Sequence, residues 1–263
     1  MADFNLNSFV VDHVLRGVMT NAKDGSYMWS VSEMTDPSLS VTTETADAVD
    51  ALGSVIASFD RAKNAEFTAN SSIFDLDLYA AQNGKEKEVA TTTKKITTPA
   101  FETLEVKAGE TTVKLAHTPN AEITTIYTLN GDDTLGVPYT AGTAASATAF
   151  VYDNTTATIT VPTGFVGNLF VMYEYEAEQA VQVVGDGINF PKAGKFVMEV
   201  LGSDLCDTST KIHAYIVFPN AKLDANVDIS FTTDGNHPFT IRALQSYCDG
   251  EKVLFKIIIP KED

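Results

Sequence analysis

The sequence predicts a mainly β protein of antiparallel sandwich type with one short flanking α-helix. Three observations predict it. Alternating polarity, the mark of a sheet with one dry and one wet face, runs through the C-terminal quarter. Between residues 101 and 184, short apolar segments are separated by Asn-Gly, Thr-Pro-Asn and Thr-Gly turn signals. A single stretch near residue 75 combines helical spacing of apolar residues with start and stop signals.

From the N-terminus, residues 8–18 (SFVVDHVLRGV) and 27–33 (YMWSVSE) read as two strands joined by the turn Asn21-Ala22-Lys23-Asp24-Gly25. In the second, Met28, Ser30 and Ser32 alternate with Trp29, Val31 and Glu33, and either set suits the core face. Residues 45–59 carry two patterns at once. Ala48, Val49, Leu52 and Ile56 fall at helical spacing, yet Gly53 interrupts them and Val55-Ile56 with Phe59 suits the start of a strand. The helix follows: Ser71 or Ser72 caps it, Ile73, Leu76, Tyr79 and Ala80 form a stripe that covers one face of the sheet, and Gly84 provides a left-handed stop. Residues 83–98 (NGKEKEVATTTKKITT) are polar, alternate in charge and read as an exposed, mobile loop or arm.

The segments FETLEVKAG, TTVKLAH, EITTIYTLN, ATAFVYD, ATITVPT and NLFVMYEYE then read as strands of a sandwich-like stretch over residues 99–187. It is either a β-rich insertion of immunoglobulin-like type or a continuation of one sandwich, and it lacks the spaced cysteine pair of antibody domains. Phe170, Tyr173 and Tyr175 are assigned to packing. Phe190-Pro191 marks the return to a final sheet whose first strand covers residues 195–201. Residues 211–239 read as a hairpin of two strands joined through Pro219-Asn220, with a second turn at Asp234-Gly235. On its second strand Val227, Ile229 and Phe231 face one way, and Asn226, Asp228, Ser230 and Thr232 the other. Phe239, Ile241 and Ala243 continue the alternation, followed by Val253, Phe255, Ile257 and Ile259.

Composition narrows the function. The 263 residues carry 35 acidic against 18 basic side chains, a formal charge of −17, which argues against the phosphate contacts that give nucleic-acid binders their affinity. The opening MADFNLNSFVVDH lacks the basic start and apolar core of a secretory signal, and no apolar run is long enough for membrane insertion. Cys206 and Cys248 lack Cys-x-x-Cys spacing and read as reduced, packed thiols. His13, His117, His213 and His237 are dispersed without zinc-protease spacing, and Asp75 and Asp77 fall on different helix faces. Asp132-Asp133 after Asn130-Gly131 reads as a hairpin turn, because the twelve-residue calcium pattern is absent. Gly185-Asp186-Gly187 opens no helix and so is no phosphate cradle. No catalytic, cofactor-binding or metal-ligating residue is therefore assigned, and no cofactor is expected.

Several segments together resemble the tail tube (major tail) proteins of long-tailed bacteriophages. They are Leu15-Arg16-Gly17-Val18-Met19-Thr20, Met28-Trp29-Ser30-Val31, the run from Ser58 to Phe67 (SFDRAKNAEF), and the helix that follows. Val171-Met172-Tyr173-Glu174-Tyr175-Glu176, Phe190-Pro191, Phe218-Pro219-Asn220-Ala221-Lys222-Leu223 and residues 227–231 complete the set. The resemblance implies a β-sandwich or split-barrel subunit, with residues 1–98 and 188–263 as its tube-type core and residues 54–69 in strands. It implies a non-enzymatic virion protein, made in the host cytoplasm, whose copies form stacked, commonly hexameric rings. Other tail proteins join them, and DNA passes through without specific binding. On that reading Asn226, Asp228, Ser230 and Thr232 are candidate lumen-facing residues, and Lys85, Lys87, Lys94 and Lys95 mark a candidate inter-ring loop. A rival reading is a capsid decoration or host-surface-binding protein built on an immunoglobulin-like module. A sugar-cleaving enzyme would need two carboxylates facing across a groove, about 5 to 10 Å apart.

Overall fold

Strands set by alternation are joined by turns whose chemistry is local. In the computed structural model, which describes residues 8–32, 34–205, 207–233, 236–245 and 252–260, the chain opens with β1 (Phe9–Thr20), β2 (Tyr27–Ser32), β3 (Met34–Val49) and β4 (Val55–Ser71). Helix α1 (Leu76–Gln82) follows, then β5 (Glu88–Val89), β6 (Ile96–Val106), β7 (Thr112–Lys114), β8 (Thr125–Leu129), β9 (Leu135–Ala141), β10 (Ala149–Asp153), β11 (Thr158–Thr160), β12 (Gly167–Ala177) and β13 (Val181–Gln182). The chain closes with β14 (Ala193–Asp204), β15 (Asp207–Leu223), β16 (His237–Ala243) and β17 (Lys256–Ile258). Cys206, Cys248, Glu33 and the predicted Asp234-Gly235 turn lie outside the described residues. Two units divide the chain: Met1–Lys87 with Val183–Asp263, and Glu88–Gln182.

The first unit is one antiparallel sheet in the order β2-β1-β14-β15-β16-β4-β3, with β17 also on β15, curled into a nearly closed barrel. The predicted β1–β2 hairpin forms, and Trp29 and Val31 are the members of β2 that turn inward. Trp29 stacks on Phe196 with centroids 5.7 Å apart, and Phe196 also meets Phe67 and Phe218 at 6.1 Å. Gly17 is required beside this cluster, since a Cβ there would stand 2.6 Å from the Phe196 ring. Residues 45–59 resolve as a hairpin of β3 and β4, in agreement with the strands that the resemblance implied.

Three expectations are corrected here. The helix begins later than Ser71 or Ser72 because Asp75 is the residue that caps it, accepting from the amides of Asp77 and Leu78; Ser71 instead ends β4 and bonds Ile73. Its buried face is therefore Leu78, Ala80 and Gln82, while Ile73 and Leu76 are exposed. Pro219-Asn220 makes no turn, and β15 runs straight through it. Opposite these residues β14 supplies only Lys195, so they form a bulge, where a missing N–H costs no ladder bond. Ile257 is exposed rather than aligned with half-buried Phe255 and Ile259, because β17 is a three-residue edge strand.

The second unit orders its strands β6-β12-β8-β9-β10-β11-β7 around Ile126, Phe150, Ile159, Leu169 and Val171. Asp132 caps the β8–β9 turn by accepting from Thr134, as a hairpin turn requires. Of the three aromatics assigned to packing, Tyr173 is buried, Tyr175 stacks on His117 at 3.8 Å, and Phe170 lies outward against Phe101. The Tyr173 hydroxyl donates to Glu102 and accepts from the His117 amide; burial and then that carboxylate push its pKa up.

Candidate assembly interface

The outer half of the β3–β4 hairpin carries exposed apolar side chains. Its turn is built by Asp50, whose carboxylate accepts from the amides of Leu52 and Ser54, while Gly53 takes the left-handed φ of 84° that the reversal needs. Cross-strand pairing of Ala46 with Phe59 and Ala48 with Ala57 gathers these four residues on one face; beyond a register shift Val49 pairs with Val55, and Ile56 at that shift is 68% exposed. Asp47, Ser58 and Asp60 take the other. Phe59 is 57% exposed and Val55 59%, so the apolar side chains of the ribbon's outer half have no cover among the described residues. A two-stranded ribbon is marginal on its own in water.

The backbone edges of the ribbon are also open. β4 pairs with β16 only through residues 66–71, leaving residues 55–65 bonded to β3 alone, and β3 is the last strand of the sheet. Where the ribbon leaves the barrel, Arg242 contacts Asp224 at 2.7 Å and Glu66 at 3.3 Å.

Asn226, Asp228, Ser230 and Thr232 are all exposed, with Val227 and Ile229 half-buried between them. The second strand of the predicted hairpin is nonetheless absent: residues 224–232 are irregular, and Phe231 is 81% exposed. The cause lies in the ladder. β15 and β16 exchange bonds between Asn220 and Leu244, and the last rung is the Asp224 amide on the Thr240 carbonyl. The next rung would join Asn226 to Pro238, which has no N–H. The Pro238 carbonyl already accepts from Gln82, and the Asn226 amide is taken by Asp224. The chain therefore leaves the sheet, opening a cleft of about 480 Å³ between residues 225–228 and 238–240.

The four lysines of residues 83–98 are each paired within their own unit. Lys85 meets Asp186 at 2.8 Å, Lys87 meets Asp77 at 2.8 Å, Lys94 meets Glu88 at 3.0 Å, and Lys95 meets Glu178 at 2.9 Å. Asp186 also accepts from the amides of Ile188 and Asn189, and Lys85 above all holds it well below the usual carboxylate range. The stretch is not a free arm: β5 pairs with β13, and Ile96 is buried at the start of β6.

Sequence reasoning gave no role to the contact that docks α1. His237 is fully buried, its Nε2 lies 2.7 Å from Gln82 Oε1, and the imidazole packs against Phe74 and Tyr79. Burial pushes its pKa down, and Nδ1 has no hydrogen-bond partner among the described residues. A lone glutamine on a helix face and a histidine 155 residues later give no joint signal in the sequence. Among the other histidines, His213 bonds Glu199, which also accepts from Arg16, and that guanidinium lowers the Glu199 pKa. Among the described residues no group of three or more His, Cys, Asp or Glu could hold a metal ion, and no helix is long and apolar enough to cross a membrane.

Comparison with known proteins adds one match and one negative. No curated protein matches the chain. The family model described as the YomU/Tube protein family matches residues 9–257, which takes in both units, the ribbon and the interrupted ladder. The chain belongs to the YomU/Tube protein family, a phage tail tube family.

Proposed function

We propose that this chain is the self-assembling, non-enzymatic subunit of a tail tube: copies join through strand edges into rings, commonly hexameric, which stack into the conduit for genome ejection. The observation that carries the reading is the β3–β4 ribbon, with Val55, Ile56 and Phe59 exposed and its backbone edges open. Burying such a face against another copy supplies the cover that the ribbon lacks, and pairing its edges removes a site for unwanted partners. Asn226, Asp228, Ser230 and Thr232 supply an exposed polar to acidic row, and an acidic lining repels DNA rather than holding it. Lys85, Lys87, Lys94 and Lys95 are the candidates for ring stacking. Exposed ion pairs contribute only about 0–1 kcal/mol each, so their partners can be exchanged for carboxylates of an adjacent ring.

The test is electron microscopy and sedimentation of the purified protein, alone and with a nucleating tail-tip complex. Wild type forms tubes, and Phe59→Asp stays monomeric with an unchanged monomer melting temperature. A wild type that remains monomeric under nucleating conditions, or a Phe59→Asp variant that polymerises normally, refutes the proposal.

A further inference from the structure

We infer that residues 225–232 are a latent strand, excluded from their own sheet and completed by the open edge of β4, residues 55–64, in a second copy of the chain. The inference rests on the tube reading and specifies one of its contacts. The segment ANVDISFT has the two-residue period of a strand, with Val227, Ile229 and Phe231 alternating with Asn226, Asp228, Ser230 and Thr232. Its side chains keep that alternation of burial even without a ladder, up to exposed Phe231. What stops the ladder is chemical: Pro238 has no donor for the next rung, and the two remaining groups are engaged by Gln82 and Asp224. A patterned strand barred from its neighbour in this way still carries backbone groups that pair best with another strand.

β4 is suited to be that partner. Its outer residues bond only to β3, so a row of amides and carbonyls is open on the other side. Adding a strand there makes the ribbon three-stranded, the smallest number that is stable with an apolar face. Val227, Ile229 and Phe231 then extend the face formed by Ala57 and Phe59 with Ala46 and Ala48. The charge balance favours the pairing: Asp228 is the only charged residue in the segment, and residues 55–64 of β4 carry two exposed cations, Arg61 and Lys63, against one exposed acid, Asp60. The polar row is left on the opposite side of the new strand, where it lines a surface without disturbing the pairing.

The test uses the full-length chain and removes backbone donors. Ile229→Pro and Ser230→Pro between them delete an N–H on each side of the segment, whereas Ser230→Ala deletes only a side chain. Because these residues make no ladder bond in the single chain, both proline variants keep the wild-type monomer melting temperature. At least one raises the critical concentration for tube formation by about tenfold or more, and Ser230→Ala assembles as wild type. Hydrogen exchange of wild-type tubes against monomer shows the amides of 225–232 and 55–64 slowed together, by about a hundredfold. If both proline variants assemble at the wild-type concentration, or if 225–232 exchanges equally in tube and monomer, the latent strand is refuted. Slowing of 225–232 alongside β2 or the outer edge of β3, with 55–64 unchanged, refutes β4 as its partner. Should Phe59→Asp block assembly while both proline variants polymerise, this inference falls and the tube reading stands; a wild type that never polymerises overturns both.

Discussion

Gly17→Ala tests how tightly the barrel core is built. Gly17 lies on β1 opposite Met198, and an added Cβ would stand 2.6 Å from Cζ and 2.9 Å from Cε2 of Phe196, with Val31 Cγ1 at 3.4 Å. Phe196 has no exposed surface and is flanked by Trp29, Phe67 and Phe218, so its ring has nowhere to move. Overpacking of this kind costs about 1–3 kcal/mol. The backbone φ of Gly17 is ordinary, so the cost is steric alone. Trp29 is the single tryptophan and stacks on Phe196, which makes its fluorescence a direct reporter. In urea, Gly17→Ala lowers the midpoint of the Trp29 transition by roughly 0.5–1 M. Phe196→Leu alone costs about 1–2 kcal/mol, through lost transfer energy and a small cavity. In the double variant the shorter side chain gives the new methyl room, so the two losses fall short of their sum by about 1 kcal/mol. A Gly17→Ala midpoint equal to wild type, or strict additivity in the double variant, refutes the reasoning.

Two further outcomes follow from buried polar groups. His237 is held below its ordinary pKa chiefly by burial, with Asp75 acting in the opposite direction, so folding favours the neutral imidazole. Its contribution is complete above about pH 6.5 and is lost as pH falls below that value, at up to about 1.4 kcal/mol per pH unit. Urea midpoints at pH 7 and pH 5 therefore diverge more for wild type than for His237→Phe, and an equal pH response in the two disproves the assignment. In the second unit, Tyr173→Phe removes the donor to Glu102 and the acceptor of the His117 amide, at a cost of about 1–3 kcal/mol. Calorimetry measures that loss, and an unchanged transition argues against the bond network.

Much of the barrel was legible because its information is local. Trp29 and Val31 on β2, and Phe239 and Ile241 on β16, alternate cleanly with polar neighbours and are buried as such patterns require. The helix register slipped because three good capping residues, Ser71, Ser72 and Asp75, compete within five positions, and bonds to Asp77 and Leu78 decide among them. Residues 45–59 allowed a helix because Leu52 and Ile56 lie four apart. Only the pairing of β3 with β4 separates them onto a turn and a strand. The largest misreading has a non-local cause. Residues 225–232 have every local feature of a strand, and the sequence between Asp224 and Thr232 contains nothing against it. The obstacle is Pro238, reached only when the β15–β16 register is known. Asn226, Asp228, Ser230 and Thr232 are exposed, but on an irregular segment rather than on the expected strand. Nothing in the sequence marks the carboxylates that pair with the four lysines, two of which lie more than 80 residues away in the chain.

The small sheet of β5 and β13 has an architectural consequence. Glu88 is registered against Gln182 and Val89 against Val181, so the chain enters and leaves the second unit side by side. Excising that unit would leave Lys87 and Val183 separated by roughly one strand spacing, about 5 Å, a gap that a linker of a few residues spans. The entry and exit of the second unit are thus neighbours in one ladder, a connectivity that allows one module to be exchanged for another while every rung of the eight-stranded sheet stays in place.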